Sequence, residues 1–165
     1  MNRWAKFSTA VVAATVVVAS SASAQSAHIN VTATVFQAIT VVAGTNLAFG
    51  NVFPGVNKTI AVTDAGAGRW DATGQASQNV NMTFTLPTNL ANGANNLAIA
   101  TWTGCRDGDN TVAGCVAFTP SAGATAAAFG AGGVLTVWIG ATVSPTAAQA
   151  AGNYTATATL TLAYF

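Results

Sequence analysis

Residues 152–165 read GNYTATATLTLAYF, the most regularly alternating stretch of the chain. One set of alternate positions carries apolar or aromatic side chains: Tyr154, Ala156, Ala158, Leu160, Leu162 and Tyr164. The other set carries Thr155, Thr157, Thr159 and Thr161. Successive side chains of a β-strand point to opposite faces, so this pattern predicts a strand with one buried and one exposed face. Such a strand needs neighbours in its sheet and a second layer beneath its apolar face.

Other short segments alternate in the same way and are separated by glycine, proline, asparagine and aspartate. Residues 79–86 place Val80, Met82 and Phe84 on one face, and the apolar residues 133–143 are typical of a central strand. Residues 47–55 (LAFGNVFPG) predict a strand that runs into a Pro-Gly turn, and residues 120–133 predict a flexible loop. We count eight or nine strands and no amphipathic helix. The chain is therefore predicted to be all-β, a sandwich or a barrel.

The N-terminus has the features of an export signal. Arg3 and Lys6 precede an apolar stretch at residues 9–20, and Ala22 and Ala24 have the spacing of a small-residue cleavage site. We predict that residues 1–24 are a signal peptide and that the mature chain begins at Gln25. The apolar stretch is too short for a membrane-spanning helix.

Charged residues are few, at 5% of the chain, whereas about a quarter of a typical soluble domain is charged. A chain this neutral disperses poorly unless its outside is buried against neighbours or in a membrane. Beyond Ala24 there are three cations, Lys58, Arg69 and Arg106, which are too few for a nucleic-acid-binding patch. His28 is the single histidine and glutamate is absent, so a catalytic triad or a histidine metal cluster cannot be assembled. We predict no enzymatic activity and no cofactor, although Asp64 and Asp71 are a conceivable carboxylate pair.

Cys105 and Cys115 are predicted to form a disulfide, which is the default for two cysteines of an exported chain. Closing so short a loop stabilises the fold by roughly 3 kcal/mol. Within that loop, Asp107, Asp109 and Asn110 carry oxygen atoms that could hold Ca²⁺, but a polar turn explains them as well. Three tryptophans are interpreted as core or interface anchors, with stacking on sugars as the alternative: Trp70, Trp102 and Trp138.

Residues 25–36 form a second alternating stretch at the start of the mature chain. Its apolar face consists of Ile29, Val31, Ala33 and Val35. Extended, the eleven residues from Gln25 to Val35 reach roughly 36 Å, which is enough to run along a domain. This extension could complete the sandwich of residues 37–165 in its own molecule, or it could fill a groove in a neighbour. The second contact is head-to-tail and propagates into a fibre.

The C-terminal pattern resembles that of subunits assembled by the bacterial chaperone–usher pathway, with Tyr164 penultimate and Gly152 fourteenth from the end. Residues 47–55, followed by a strand, are similar to the spore-coat-U-like pilins and to a family of bacterial surface proteins catalogued only as a domain of unknown function. The resemblance implies an incomplete immunoglobulin-like sandwich. It also implies that a periplasmic chaperone fills this groove until the extension of the next subunit replaces the chaperone at an outer-membrane usher. The residues implied to border the groove and meet the chaperone are Gly152, Tyr154, Leu160, Leu162 and Tyr164, and the implied donor face is that of the N-terminal extension.

These observations predict a structural subunit of a bacterial surface fibre, a pilus or fimbria, that polymerises with copies of itself by donating its N-terminal strand. Two alternatives stay open. One is a non-fibrous surface-coat protein whose N-terminal strand completes its own sandwich. The other is a small outer-membrane barrel, which requires strands of about 9–11 residues, longer than most segments here.

Overall fold

The computed structural model describes residues 23–165, which form ten β-strands. The predicted signal peptide lies outside the described residues except for Ser23 and Ala24. In the described part of the chain, no helix has the length and apolar character needed to cross a membrane.

Residues 23–34 belong to the N-terminal part of the chain and contain no strand. Their side chains are exposed, with Ile29 at 86% and Val31 at 87% of full exposure. Val35, the first residue of the compact unit Val35–Phe165, is 91% exposed. The residues that were predicted to alternate in a strand are therefore not paired in a sheet within the single chain. A strand is not stable without a neighbouring strand to which its backbone can hydrogen-bond.

The compact unit contains all ten strands, which are numbered in chain order: β1 (Thr40–Thr45), β2 (Lys58–Ile60), β3 (Gly68–Thr73), β4 (Asn79–Thr85), β5 (Asn89–Asn92), β6 (Asn95–Asp107), β7 (Val116–Phe118), β8 (Thr125–Ala128), β9 (Val134–Ser144) and β10 (Thr159–Tyr164). Seven strands form the larger sheet in the order β1-β3-β9-β6-β5, with β2 also paired to β9 and β7 to β6. The smaller sheet has the order β10-β4-β8. All pairings are antiparallel.

The main hydrophobic cluster is formed by the apolar faces of both sheets. From the larger sheet come Leu135, Val137 and Ile139 of β9, and from the smaller sheet come side chains such as Met82 of β4 and Leu160 of β10. Leu135, Val137 and Met82 are fully buried. Burial of each such side chain contributes about 1.5–3 kcal/mol, so this cluster is the main source of stability. The prediction of an all-β, sandwich-like protein is confirmed.

Among the strands that differ from the sequence prediction are β8 and β3. β8 lies inside the stretch that was predicted to be a flexible loop, and that part of the prediction is wrong, because Thr125–Ala128 pairs with β4 and buries Ala127. β3 was not predicted because its sequence, GRWDAT, places two charges among its six residues. Arg69 and Asp71 neutralise each other through an ion pair of 2.9 Å, which allows this segment to lie between β1 and β9.

Candidate functional site

A groove of about 1060 Å³ in the described part of the molecule could receive a ligand. Its first wall is the stretch of residues 46–54, and its second wall is the stretch of residues 150–158. Its floor belongs to the larger sheet and is formed by Gly68, Trp70, Leu97, Ile99, Trp102 and Ile139. Apart from one isolated bridge in the second wall, neither wall is part of a strand.

The groove exists because the smaller sheet covers only part of the larger one. A second hydrophobic cluster lies on the larger sheet and contains Leu97, Ile99, Ala141 and Val143. The side chains that pack on it are only partly buried: Leu47, Phe49, Val52, Leu90, Trp102 and Tyr154. Most of these come from the two walls rather than from a strand of the smaller sheet. The apolar layer is therefore thin where the groove lies.

The first wall corrects the prediction of a strand at residues 47–55. Only the Pro-Gly turn at its end is as predicted: Val56 N–H donates to the Phe53 carbonyl, and Gly55 adopts a φ of 74°. The wall is fixed at its start by Ala48 N–H, which donates to the Gly66 carbonyl, and at its end by Gly55 N–H, which donates to the Thr146 carbonyl. Both ends of the wall are thus held to the body of the protein.

The second wall leads into β10 and contains the alternation quoted at the outset. Thr159 of β10 lies opposite Thr85, and Thr155 forms an isolated bridge with Ala91 of β5. Between these two pairs, residues 156–158 on one side therefore face residues 86–90 on the other, three residues against five. Pro87 lies in the longer stretch and has no N–H to donate, so the pairing is interrupted there. For this reason the strand is shorter than predicted.

The two predicted faces of the terminal stretch are otherwise present. The four threonines are exposed, Leu160 is buried, and Tyr154, Ala158, Leu162 and Tyr164 are partly buried. Ala156 is exposed, in contrast to the prediction.

The residues that were expected to border the groove separate into two groups. Gly152 and Tyr154 line it. Leu160 belongs to the main cluster instead, and Leu162 and Tyr164 pack against that cluster. The sequence pattern correctly placed these side chains on one apolar face. It could not show that the face lines the groove at its start and packs in the main cluster at its end, because this change occurs where the pairing is interrupted at Pro87.

Gly152 and Tyr154 fix the start of the second wall. Gly152 has a φ of 148°, and a Cβ atom at this position would collide with the Asn92 side chain. The Tyr154 hydroxyl donates to the Ala150 carbonyl at 2.7 Å and accepts a hydrogen bond from Gln149 Nε2 at 2.8 Å. These contacts give the wall a defined path before it reaches β10.

Tyr164 fastens the opposite end of β10 to the residues that follow the N-terminal segment. Its hydroxyl accepts a hydrogen bond from Gln75 N–H at 2.6 Å and donates to the Gln37 carbonyl at 2.8 Å. The Phe36 ring packs edge-on against the Tyr164 ring, with centroids 5.3 Å apart. Ile39 then packs against the main cluster. We call Phe36, Gln37 and Ile39 the root of the N-terminal segment.

Tyr164→Phe is expected to lower the free energy of unfolding by about 1–3 kcal/mol, because the partly buried Gln75 N–H and the exposed Gln37 carbonyl would lose their partner. Urea denaturation of the variant and of the unchanged protein measures this difference. Thr161→Ala, on the exposed face of the same strand, is the control and should change stability by less than about 0.5 kcal/mol. Equal stability of the two variants would contradict the role given to the Tyr164 hydroxyl.

The three tryptophans beyond residue 24 all belong to strands of the larger sheet. A bulge in β6 between Ala100 and Thr103 turns Trp102 toward both hydrophobic clusters, and Trp102 and Trp70 lie on the groove floor. The Trp70 ring is 6.1 Å from that of Phe84. Trp138 is 7% exposed and is not part of the groove lining. All three therefore contribute to packing, and the contribution of Trp102 to the groove depends on a bulge that the sequence pattern does not reveal.

The predicted disulfide between Cys105 and Cys115 is confirmed. It joins the end of β6 to the residue before β7, with Cα atoms 5.6 Å apart. The bond closes the hairpin that carries the acidic loop and lies outside the groove lining.

Three of the four aspartates accept hydrogen bonds within turns or loops, and the fourth, Asp71, forms the ion pair with Arg69. Asp64 accepts a hydrogen bond from Ala61 N–H, Asp107 accepts one from Asp109 N–H, and Asp109 accepts two from Thr111. The bonds from the Thr111 hydroxyl and backbone N–H hold the pKa of Asp109 below its usual value. Within residues 23–165, no group of three or more His, Cys, Asp or Glu side chains is arranged to hold a metal ion.

Comparisons of the chain with protein families, with curated proteins and with solved structures find no match.

Proposed function

We propose that the protein is a structural subunit of a bacterial surface fibre, in which the N-terminal segment of one copy fills the groove of the next. The observation that carries this proposal is the groove itself. Its floor presents Trp70, Leu97, Ile99, Trp102 and Ile139, and both of its walls are stretches of chain that, apart from one isolated bridge, are not paired in a strand. An apolar floor between two such walls suits an added strand, because the backbone can pair with a wall while alternate side chains enter the floor.

The strand order supports an immunoglobulin-like sandwich that lacks its last strand. In that fold one sheet has the order A-B-E-D and the other contains C, F and G. The larger sheet contains the path β1-β3-β9-β6, and the smaller sheet pairs β4 with β10. In chain order, β1, β3, β4, β6, β9 and β10 then correspond to strands A to F. Strand G would lie along the outer edge of β10 and of the second wall that leads into it, where no described strand of the smaller sheet is paired.

Tyr154 gives independent support for this assignment. Immunoglobulin-like domains have a tyrosine near the start of strand F whose hydroxyl bonds to the backbone a few residues upstream. Tyr154 precedes β10, and its hydroxyl donates to the carbonyl of Ala150. In the sequence, Tyr154 was predicted to belong to an apolar face and, through the family resemblance, to border the groove.

The N-terminal segment has the period and the apolar character required of the filler. Ile29, Val31 and Val35 occupy alternate positions and are each more than four-fifths exposed in the single chain. Burial of three such side chains would contribute roughly 5–9 kcal/mol. Whole domains are stable by only about 5–15 kcal/mol, so filling the groove is a large stabilising step.

The proposal includes the partners and the location that the sequence resemblance implies. A periplasmic chaperone would occupy the groove before assembly, and an outer-membrane usher would exchange it for the N-terminal segment of the next copy. The fibre would then stand on the cell surface. This role is structural and requires neither a catalytic residue nor a cofactor.

Negative-stain electron microscopy of material sheared from expressing cells tests the proposal. We expect fibres from the intact protein and none from a variant that lacks residues 29–35 but is still exported. A matched control keeps the apolar face and replaces Asn30, Thr32 and Thr34 with serine, and it should still form fibres. An exported intact protein that forms no fibres would overturn the proposal.

A further inference from the structure

Asn92 and Gly93 are the one Asn-Gly pair in the chain, and they lie at the tip of a hairpin. Asn92, the last residue of β5, is paired with Asn95, the first residue of β6, so Gly93 and Ala94 form a two-residue turn. Gly93 has a φ of 58°, whereas Ala94 is not among the residues with a positive φ. A turn of this kind takes glycine at its first central position. The path of the chain therefore requires glycine directly after Asn92.

The backbone of Gly93 is open to its surroundings. No heavy atom lies within 4 Å of the position that a Cβ atom of Gly93 would occupy, and both turn residues are exposed. Glycine itself has no side chain that would keep another group away from its backbone nitrogen. The side chain of Asn92, which is only partly buried, precedes this nitrogen directly in the chain.

We propose that Asn92 is a site of spontaneous deamidation, in which the backbone nitrogen of Gly93 attacks the Cγ atom of Asn92. The N–Cγ bond forms and the Cγ–Nδ2 bond breaks. The amide proton of Gly93 passes to hydroxide, and Nδ2 takes a proton from water and leaves as ammonia. Water then opens the five-membered succinimide at one of its two carbonyls, which gives aspartate or isoaspartate. The net reaction replaces an amide with a carboxylate, without oxidation or reduction.

The position of Asn92 favours this reaction over the same reaction at other asparagines. The attack requires Asn92 to leave its extended conformation, and strand ends open locally at a much lower free energy than core strands do. Asn92 ends a strand of only four residues. Asn89, at the other end of the same strand, is followed by Leu90, whose side chain hinders the approach, and its Nδ2 donates to the Thr88 hydroxyl at 3.3 Å.

Deamidation at Asn92 would loosen the attachment of the second wall. Ala91, the preceding residue, exchanges two backbone hydrogen bonds of 2.9 and 3.0 Å with Thr155, which form the isolated bridge. The Asn92 side chain lies against Gly152, at the start of the same wall. Isoaspartate adds a methylene group to the backbone next to this bridge, and a carboxylate replaces the carboxamide beside Gly152. This change belongs to the chain itself and occurs whether or not the groove is filled.

Tandem mass spectrometry of the mature protein, incubated at mildly alkaline pH and then digested, tests the modification. We expect Asn92 to lose its amide at least about tenfold faster than Asn89, which corresponds to a barrier lower by about 1.4 kcal/mol. The rate at Asn92 should also rise with pH, because hydroxide removes the amide proton of Gly93. Conversion at Asn92 that is no faster than at Asn89 would overturn the proposal.

Hydrogen exchange of the Thr155 backbone amide tests the effect on the second wall. In the incubated protein this exchange should be at least about tenfold faster, because a weakened bridge opens more often. Asn92→Gln is the control, since it keeps the amide but could cyclise only through a six-membered ring. After the same incubation, its Thr155 exchange should be unchanged. Deamidation at Asn92 without faster exchange at Thr155 would overturn the effect on the wall.

Discussion

Val31→Asp is expected to lower the amount of polymer at least about 100-fold, as measured by sedimentation of the mature protein. Val31 is 87% exposed in the single chain, so the substitution leaves the folded domain intact. In the filled groove, however, the carboxylate would face the apolar floor, where Arg69, which also lines the groove, is already paired with Asp71. Burial of an unpaired charge costs several kcal/mol, and each 1.4 kcal/mol changes an association constant about tenfold.

The matched control is Thr32→Asp, which adds the same charge one residue away. Thr32 is on the polar face of the N-terminal segment, so its carboxylate would remain in water and polymer formation should fall less than about threefold. Urea denaturation of the monomers should show both variants to be as stable as the unchanged protein. Equal loss of polymer in the two variants would show that charge alone, rather than burial of the Val31 face, controls assembly.

Leu135→Ala is expected to lower the free energy of unfolding by about 3–5 kcal/mol. Leu135 is completely buried, with a relative exposure of 0%. It belongs to β9 of the larger sheet, and it is a member of the main hydrophobic cluster between the two sheets. Its side chain contacts the main hydrophobic cluster, so truncation removes apolar burial and leaves a cavity. This loss is comparable to the whole stability of many domains, and urea denaturation followed by tryptophan fluorescence measures it.

Val42→Ala, in β1, is the control for this truncation. Val42 is 54% exposed and is not a member of either hydrophobic cluster, so its loss should cost less than about 1 kcal/mol. If Leu135→Ala were no more harmful than Val42→Ala, the two sheets would not share the core described above.

The strands could be predicted from the sequence because a strand that buries one face carries apolar side chains at every second position. Val80, Met82 and Phe84 of β4 were assigned to one face, and all three are buried. The terminal threonines and the Cys105–Cys115 disulfide were predicted in the same way, from alternation and from export. These features depend on local pattern or on simple chemistry, which a sequence displays directly.

The groove could be predicted only in part, because its geometry depends on contacts between distant segments. The first wall is anchored through Ala48 and Gly66, and neither residue carries a signal in the sequence. Trp102 reaches the floor through a bulge whose extra residue shows only when β6 and β9 are paired. The contact between Gln37 and Tyr164 joins residues 127 positions apart. Such pairs follow from the fold and not from any local pattern.

The placement of the root at one end of β10 has a mechanical consequence. In a fibre built from the proposed contacts, tension would enter a subunit at Phe36 beside Tyr164 and would leave it through the groove walls. Within the subunit, part of this load would pass through the contacts of Tyr164 and then along the covalent backbone of β10, which continues into the second wall. The weak links on this path are the hydrogen bonds and the ring contact of Tyr164, because they are not covalent. The six pairs between β10 and β4 would hold β10 on the core while the load passes along it.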